Sequence, residues 1–72
     1  HQISNAHTNA IIEAVGIERE RIPLTFPRWG NVAAAALPMT LAEYAPTYAK
    51  GDRILCMGVG SGLNTALMEI TW

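Results

Sequence analysis

The final twenty residues of the chain limit its fold more than any other stretch. Arg53 to Val59 sets Ile54, Leu55, Cys56 and Met57 in succession, and Gly58-Val59-Gly60-Ser61-Gly62 follows. From Leu63 to Trp72 the side chains then alternate, with Ala66, Met68, Ile70 and Trp72 on one face and Thr65, Leu67, Glu69 and Thr71 on the other. Successive residues of a strand point to opposite sides, so this period of two specifies a strand with one well-buried face. An apolar strand, a glycine turn and an alternating strand together form a β-hairpin with the glycines at its tip. A helix over the last ten residues would scatter the same side chains around its whole circumference.

The preceding residues follow a helical rhythm. Ser4 or Asn5 can cap a helix running to about Val15, with Ala6, Ala10, Ile11, Ala14 and Val15 as its apolar stripe and Gly16 as its stop. Ile17 to Arg21 is a charged, solvated turn. Ile22 to Phe26, flanked by Pro23 and Pro27, reads as a short strand or extended segment, confined to an edge because proline cannot donate to a ladder. Asn31 is expected to open a second helix that continues through four alanines towards Tyr48. Pro38 either kinks that helix or restarts it from its first turn. Lys50-Gly51-Asp52 turns the chain into the hairpin, and the whole reads as α/β.

Size and charge narrow the possibilities. A chain of 72 residues can form one domain at most, spanning 1–72, and would bury only about 60% of its unfolded surface. Half of its residues are hydrophobic and 15% are charged, so apolar surface is left for further chain to cover. The absence of an initiating Met leads to the same expectation, that these residues are part of a longer polypeptide. Five basic residues (Arg19, Arg21, Arg28, Lys50, Arg53) face six acidic ones and never form a run, which excludes a basic nucleic-acid footprint. No apolar stretch is long enough to span a bilayer, and the first residues do not follow a signal-peptide plan. Cys56 is the single cysteine, compatible with a reducing compartment, and a cytoplasmic location is expected.

Three polar features carry the candidate chemistry. His1 and Asn31 stand thirty residues apart, and Gly60-Ser61-Gly62 turns the chain later. His and Asn each offer a hydrogen bond from an uncharged side chain, and a glycine turn exposes backbone NH groups. A thioester carbonyl becoming an enolate or a tetrahedral oxyanion requires donors of this kind. Each feature also has a plainer reading: a chain end, a helix cap, a turn with no ligand. His7, six residues beyond His1, gives no ligand spacing, and no metal site is expected. Cys56 sits in an apolar strand and reads as an inert core thiol.

The glycine turn has a second sharp reading. Arg53 to Thr65 resembles the first motif of an S-adenosylmethionine methyltransferase, in which a strand feeds a glycine loop and then a helix. Against this, Cys56 and Met57 occupy the strand where that family usually has an acidic residue, and residues 64–72 favour a strand. The dinucleotide fingerprint fails because its third glycine would fall on Leu63.

The order of the pieces carries a further resemblance. His1-Gln2, Gly30-Asn31 followed by small residues and Leu37-Pro38, then Gly51-Asp52-Arg53, Gly60-Ser61-Gly62-Leu63 and Trp72 together resemble the C-terminal region of 3-oxoacyl-acyl-carrier-protein synthase III and its thiolase-superfamily relatives. The resemblance covers essentially the whole chain. The wording His1-Gln2-Ile3-Ser4, His7-Thr8 and Gly60-Ser61-Gly62-Leu63-Asn64 is closer to the branch that condenses long acyl-CoA chains, as in bacterial olefin biosynthesis. It implies a thiolase-like α/β/α/β/α layered fold, with this chain as the C-terminal part of the second half.

The same resemblance implies a function. The reaction would be a Claisen condensation of acyl-CoA or acyl-carrier-protein thioesters, giving a 3-oxoacyl product in a homodimer that needs no cofactor. His1 and Asn31 would stabilise the thioester enolate, and the Ser61 NH in its Gly60 to Gly62 turn would face the oxyanion at an acylated cysteine. That cysteine belongs to the family's N-terminal half, so this chain alone is expected to be inactive. Ser4 and Ala6 replace an Asn and an Arg common in carrier-protein-dependent members, and Ser61 replaces a commoner glycine. A methyltransferase fragment and a non-catalytic structural domain are the rival expectations, and a strand or a helix after Gly62 separates the first of them.

Overall fold

A computed structural model describes all residues, 1–72. Ser4 starts the first helix, α1 (Asn5–Val15): its extended backbone leaves the hydroxyl free to accept from the His7 NH at 3.0 Å. Such a cap is worth about 1 kcal/mol. Gly16 ends the helix in the left-handed conformation (φ 72°), returning its NH to the Ile12 carbonyl at 2.9 Å. The packed side of α1 differs from the expected stripe. Thr8 is buried and Ile11 and Ile12 are half-buried, whereas Ala6, Ala10, Ala14 and Val15 are exposed.

The segment after α1 corrects a second expectation. Residues 22–25 join no ladder, Thr25 already has a helical backbone (φ −110°, ψ −23°), and Phe26 belongs to a one-turn helix, α2 (Phe26–Trp29). Pro27 lies in the first turn of that helix, where its missing NH costs nothing and its fixed φ favours the helical path. The proline expected to bound a strand therefore starts a helix. Gly30 closes α2 with φ 66° and ψ −157°. Arg28 pairs with Glu43 and lies 5.3 Å over the Trp29 ring, tying α2 to the next helix.

That helix, α3 (Ala36–Tyr44), begins later than its expected opening at Asn31. Ala33 has φ 54°, a left-handed value that no continuous α-helix accommodates, and one tight turn over Ala33–Ala35 precedes α3. Pro38 is the third residue of α3, so the restart expectation holds and the kink does not. Tyr44 ends the helix short of Tyr48, and a second tight turn, Ala45–Thr47, completes it.

The hairpin forms as expected: β1 (Arg53–Gly60) pairs antiparallel with β2 (Asn64–Thr71) in a register running from Arg53↔Thr71 to Gly60↔Asn64. Its base is closed by two backbone bonds, Gly51 NH to Trp72 O and Trp72 NH to Asp52 O, both 2.9 Å, and by an edge-on contact of Tyr48 with Trp72. Arg53 makes a bidentate bond to Glu69, 2.7 Å at each oxygen, across the exposed face. This contact holds the Glu69 carboxyl below its usual range.

At the tip, Gly62 (φ 75°) and Leu63 (φ 56°) are both left-handed. That pair matches the twist of a hairpin but suits Asn or Gly at the second position better than Leu. Leu63 is 82% exposed and packs nothing. Replacing Leu63 with Asn is therefore expected to raise the unfolding free energy by about 1 kcal/mol, read as a higher denaturant midpoint at unchanged slope.

The burial expected for the hairpin is only partly present. Cys56 is buried at mid-strand, but β2 is exposed on both faces except at Ile70. Leu67 is 72% exposed, Met68 53% and Trp72 43%. Alternation marked the strand, but the well-buried face expected of it is absent: within these residues Ala66, Met68 and Trp72 are left exposed. The interior is the junction of α1, α3 and β1, with Thr8, Thr25, Ala36 and Cys56 as its buried residues.

Candidate functional site

His1 is placed by its backbone. The main-chain nitrogen donates to the Met57 carbonyl, which lays the start of the chain against the middle of β1. The imidazole is half-buried, and its Nδ1 is shielded from solvent with no hydrogen-bond partner. His1 also borders a cavity of about 120 Å³ shared with Ile11, Thr40, Leu41 and Cys56. Small-molecule sites generally exceed about 300 Å³, so this cleft alone is small for a thioester.

Asn31 follows the α2 stop and is exposed. Its side-chain carbonyl accepts from the Ala33 NH at 2.9 Å. That bond fixes the amide plane and leaves Nδ2 as the group available to donate. The left-handed Ala33 is part of the same arrangement, since its φ of 54° accompanies the turn that brings its NH back to Asn31. The plainer of the two sequence readings of Asn31 is a helix cap. The observed bond is a cap-like turn two residues long, made outside any α-helix.

Ser61 lies at the hairpin tip, where its carbonyl accepts from Asn64 Nδ2 at 2.6 Å. Gly60 ends β1, paired with Asn64, and Gly62 supplies the left-handed turn. Ser61 is four residues along from Met57, roughly 13 Å at strand spacing. No hydrogen bond joins His1, Asn31 and Ser61 to one another. Each is held separately, His1 by β1, Asn31 by its turn after α2, and Ser61 by the hairpin.

One residue connects these supports, and the sequence reading assigned it no role. Gln2 donates from Nε2 to the Pro23 carbonyl at 2.7 Å and accepts at Oε1 from the Thr25 and Phe26 NH groups, both at 2.9 Å. It thereby grips the strand of chain that leads into α2 and on to Asn31. The Thr25 hydroxyl, buried, meets the Thr40 hydroxyl at 3.0 Å, and Thr40 donates on to the Ala36 carbonyl at 2.7 Å. Thr25 is thus the donor in their contact, and α3 is bound to the same segment. The only signal in the sequence was the adjacency of Gln2 to His1.

No group of three or more metal-ligating side chains comes together, and no helix is long and apolar enough to cross a membrane. The strand β2 follows Gly62 where a methyltransferase motif requires a helix. This removes the physical basis of that rival.

Comparison with known proteins agrees with the fold. The chain is 36% identical to an acyl-CoA:acyl-CoA alkyltransferase of Xanthomonas campestris over all of its own length and 22% of that relative's. It is 35% identical to beta-ketoacyl-[acyl-carrier-protein] synthase III 3 of Streptomyces coelicolor, again over the whole chain and 22% of the relative. A second acyl-CoA:acyl-CoA alkyltransferase, from Shewanella oneidensis, is 30% identical over the whole chain and 21% of its length. The chain thus spans about a fifth of the curated relatives it matches. No solved structure gives a significant match. The family model for the C-terminal part of 3-oxoacyl-[acyl-carrier-protein] synthase III matches residues 1–72, and the chain, a thiolase-like C-terminal unit of helices on an antiparallel hairpin, belongs to that family.

Proposed function

We propose that these residues form the hydrogen-bonding part of a condensing acyltransferase, acting on acyl-CoA and a second thioester carried by CoA or an acyl carrier protein. The observation that carries this reading is the state of Asn31: its Oδ1 is occupied by Ala33, so Nδ2 is the amide's free end. In the proposed reaction an upstream cysteine, outside residues 1–72, carries the first acyl group as a thioester. The second thioester becomes a carbanion at its α-carbon by losing a proton to a base outside residues 1–72 or, where it carries an α-carboxylate, by losing carbon dioxide, and His1 and Asn31 donate to its carbonyl oxygen while negative charge resides there. That carbon attacks the acyl-cysteine carbonyl, whose oxyanion meets the Ser61 NH. Collapse expels the cysteine thiolate and leaves a 3-oxoacyl thioester.

Uncharged donors suit this sequence of steps. A donor that strengthens its bond as charge develops lowers the barrier, whereas one that binds the ground state equally well does not. The alkyltransferase relatives, with Ser4 and Ala6 here in place of Asn and Arg, favour CoA as the carrier of both acyl groups. The exposed apolar residues of β2 and α1 fit burial against the remainder of an enzyme of the relatives' length, in a cytoplasmic homodimer. A two-step assay of the full-length enzyme tests the reading. Acyl-enzyme formation is followed by intact mass and condensation by product release, and removing the Asn31 donor should impair the second step alone.

A further inference from the structure

We propose that Gln2 is a positioning residue for the condensation, holding Asn31 in place by capping α2 from the start of the chain; this rests on the reading that Asn31 acts in that step. The first turn of any helix has NH groups without partners. In α2 the usual remedy is missing, because Thr25 makes no side-chain cap bond and commits its hydroxyl to Thr40. Pro27 has no NH to satisfy. The NH groups of Thr25 and Phe26 are instead both taken by Gln2 Oε1, while Nε2 fixes the Pro23 carbonyl just before them.

Three of the four hydrogen bonds available to a primary amide are therefore spent on one segment. Their geometric consequence reaches Asn31. The helix α2 has only four residues, too few to hold a direction without its ends, and Gly30 and Asn31 follow directly. Gln2 is also the neighbour of His1, which is fixed independently to Met57. One side chain thus sets the spacing between the two candidate donors, a distance to which a condensation is sensitive: displacement of about 1 Å can cost 10²-fold in rate.

The test compares Gln2→Leu and Gln2→Glu in the full-length enzyme with Asn31→Ala and the double variant Gln2→Leu/Asn31→Ala. Leu removes all three bonds at similar volume. Glu keeps an acceptor for both NH groups and turns its second carboxylate oxygen towards the Pro23 carbonyl, replacing that bond with a repulsion. Condensation is expected to fall about 10- to 100-fold in Gln2→Leu, with acyl-enzyme formation within about twofold of the parent. Gln2→Glu should recover part of the loss, because the Thr25 and Phe26 NH groups keep their acceptor. In the Asn31→Ala background Gln2→Leu should add less than about threefold, because the residue it misplaces has lost its donor.

Equal loss of both steps in Gln2→Leu and Gln2→Glu, or a full multiplicative cost in the double variant, would overturn the proposal. Normal condensation in Gln2→Leu beside impaired Asn31→Ala overturns the role of Gln2 and leaves the proposed function standing. Unimpaired condensation in Asn31→Ala overturns both.

Discussion

Asn31→Ala in the full-length enzyme is expected to slow condensation by about 10² to 10³, the usual loss on removing one oxyanion donor, while the acyl-cysteine still forms at its normal rate. The loss corresponds to roughly 2.7–4 kcal/mol in the barrier. Destabilisation cannot supply it. Asn31 is exposed and makes one hydrogen bond, to the Ala33 NH, worth about 1 kcal/mol of stability. Asn31→Asp isolates the donor more sharply. It keeps an oxygen for Ala33, loses the Nδ2 hydrogens and places a negative charge beside the developing enolate. Condensation in Asn31→Asp should fall at least as far as in Asn31→Ala, with the unfolding midpoint closer to that of the parent. If Asn31→Asp condenses normally, the amide donates nothing.

Gly30→Ala should damage stability and condensation together. With φ 66° and ψ −157°, Gly30 occupies backbone space that is essentially reserved for glycine. A Cβ added there would meet no atom within 4 Å, so the whole penalty comes from the backbone angle, about 1–3 kcal/mol. The chain can relieve it only by turning at Gly30, and Asn31 is the next residue. Urea unfolding and the two-step assay read the two effects separately. Loss of stability with unchanged condensation would show that the direction of Asn31 is set elsewhere.

How far the sequence announced these features depended on the range of the interactions involved. The hairpin was legible because period-two alternation and a glycine turn are local signals, whereas the register from Arg53↔Thr71 to Gly60↔Asn64 came only with the structure. Helix α1 was legible at both ends for the same reason, through Ser4 and Gly16. The well-buried face expected of β2 and the apolar stripe expected of α1 are not covered, because periodicity aligns apolar side chains without supplying the surface that packs on them; Met68 and Val15 are exposed.

Two errors came from residues whose role depends on distant partners. Pro27 was read as the boundary of a strand, but no second strand lies beside residues 22–25, and with Gln2 holding the preceding NH groups the proline completes a helical turn instead. Asn31 was placed at the head of a helix that starts at Ala36 because nothing in an alanine run discloses that Ala33 is left-handed. Gln2 stands in the family-like motif His1-Gln2 but has no role of its own in the sequence reading. Its three contacts lie 21 to 24 residues away, and no periodicity marks them.

The division of labour between this chain and the rest of the enzyme is tested most directly by locating the acyl group. Cys56 is the single cysteine of these residues and is 4% exposed in the interior of β1, beside the same cavity as His1. Full-length enzyme incubated with an acyl-CoA, digested and mapped by mass spectrometry should carry the acyl adduct on a cysteine outside residues 1–72, with Cys56 unmodified. Stoichiometric acylation of Cys56 would contradict the account.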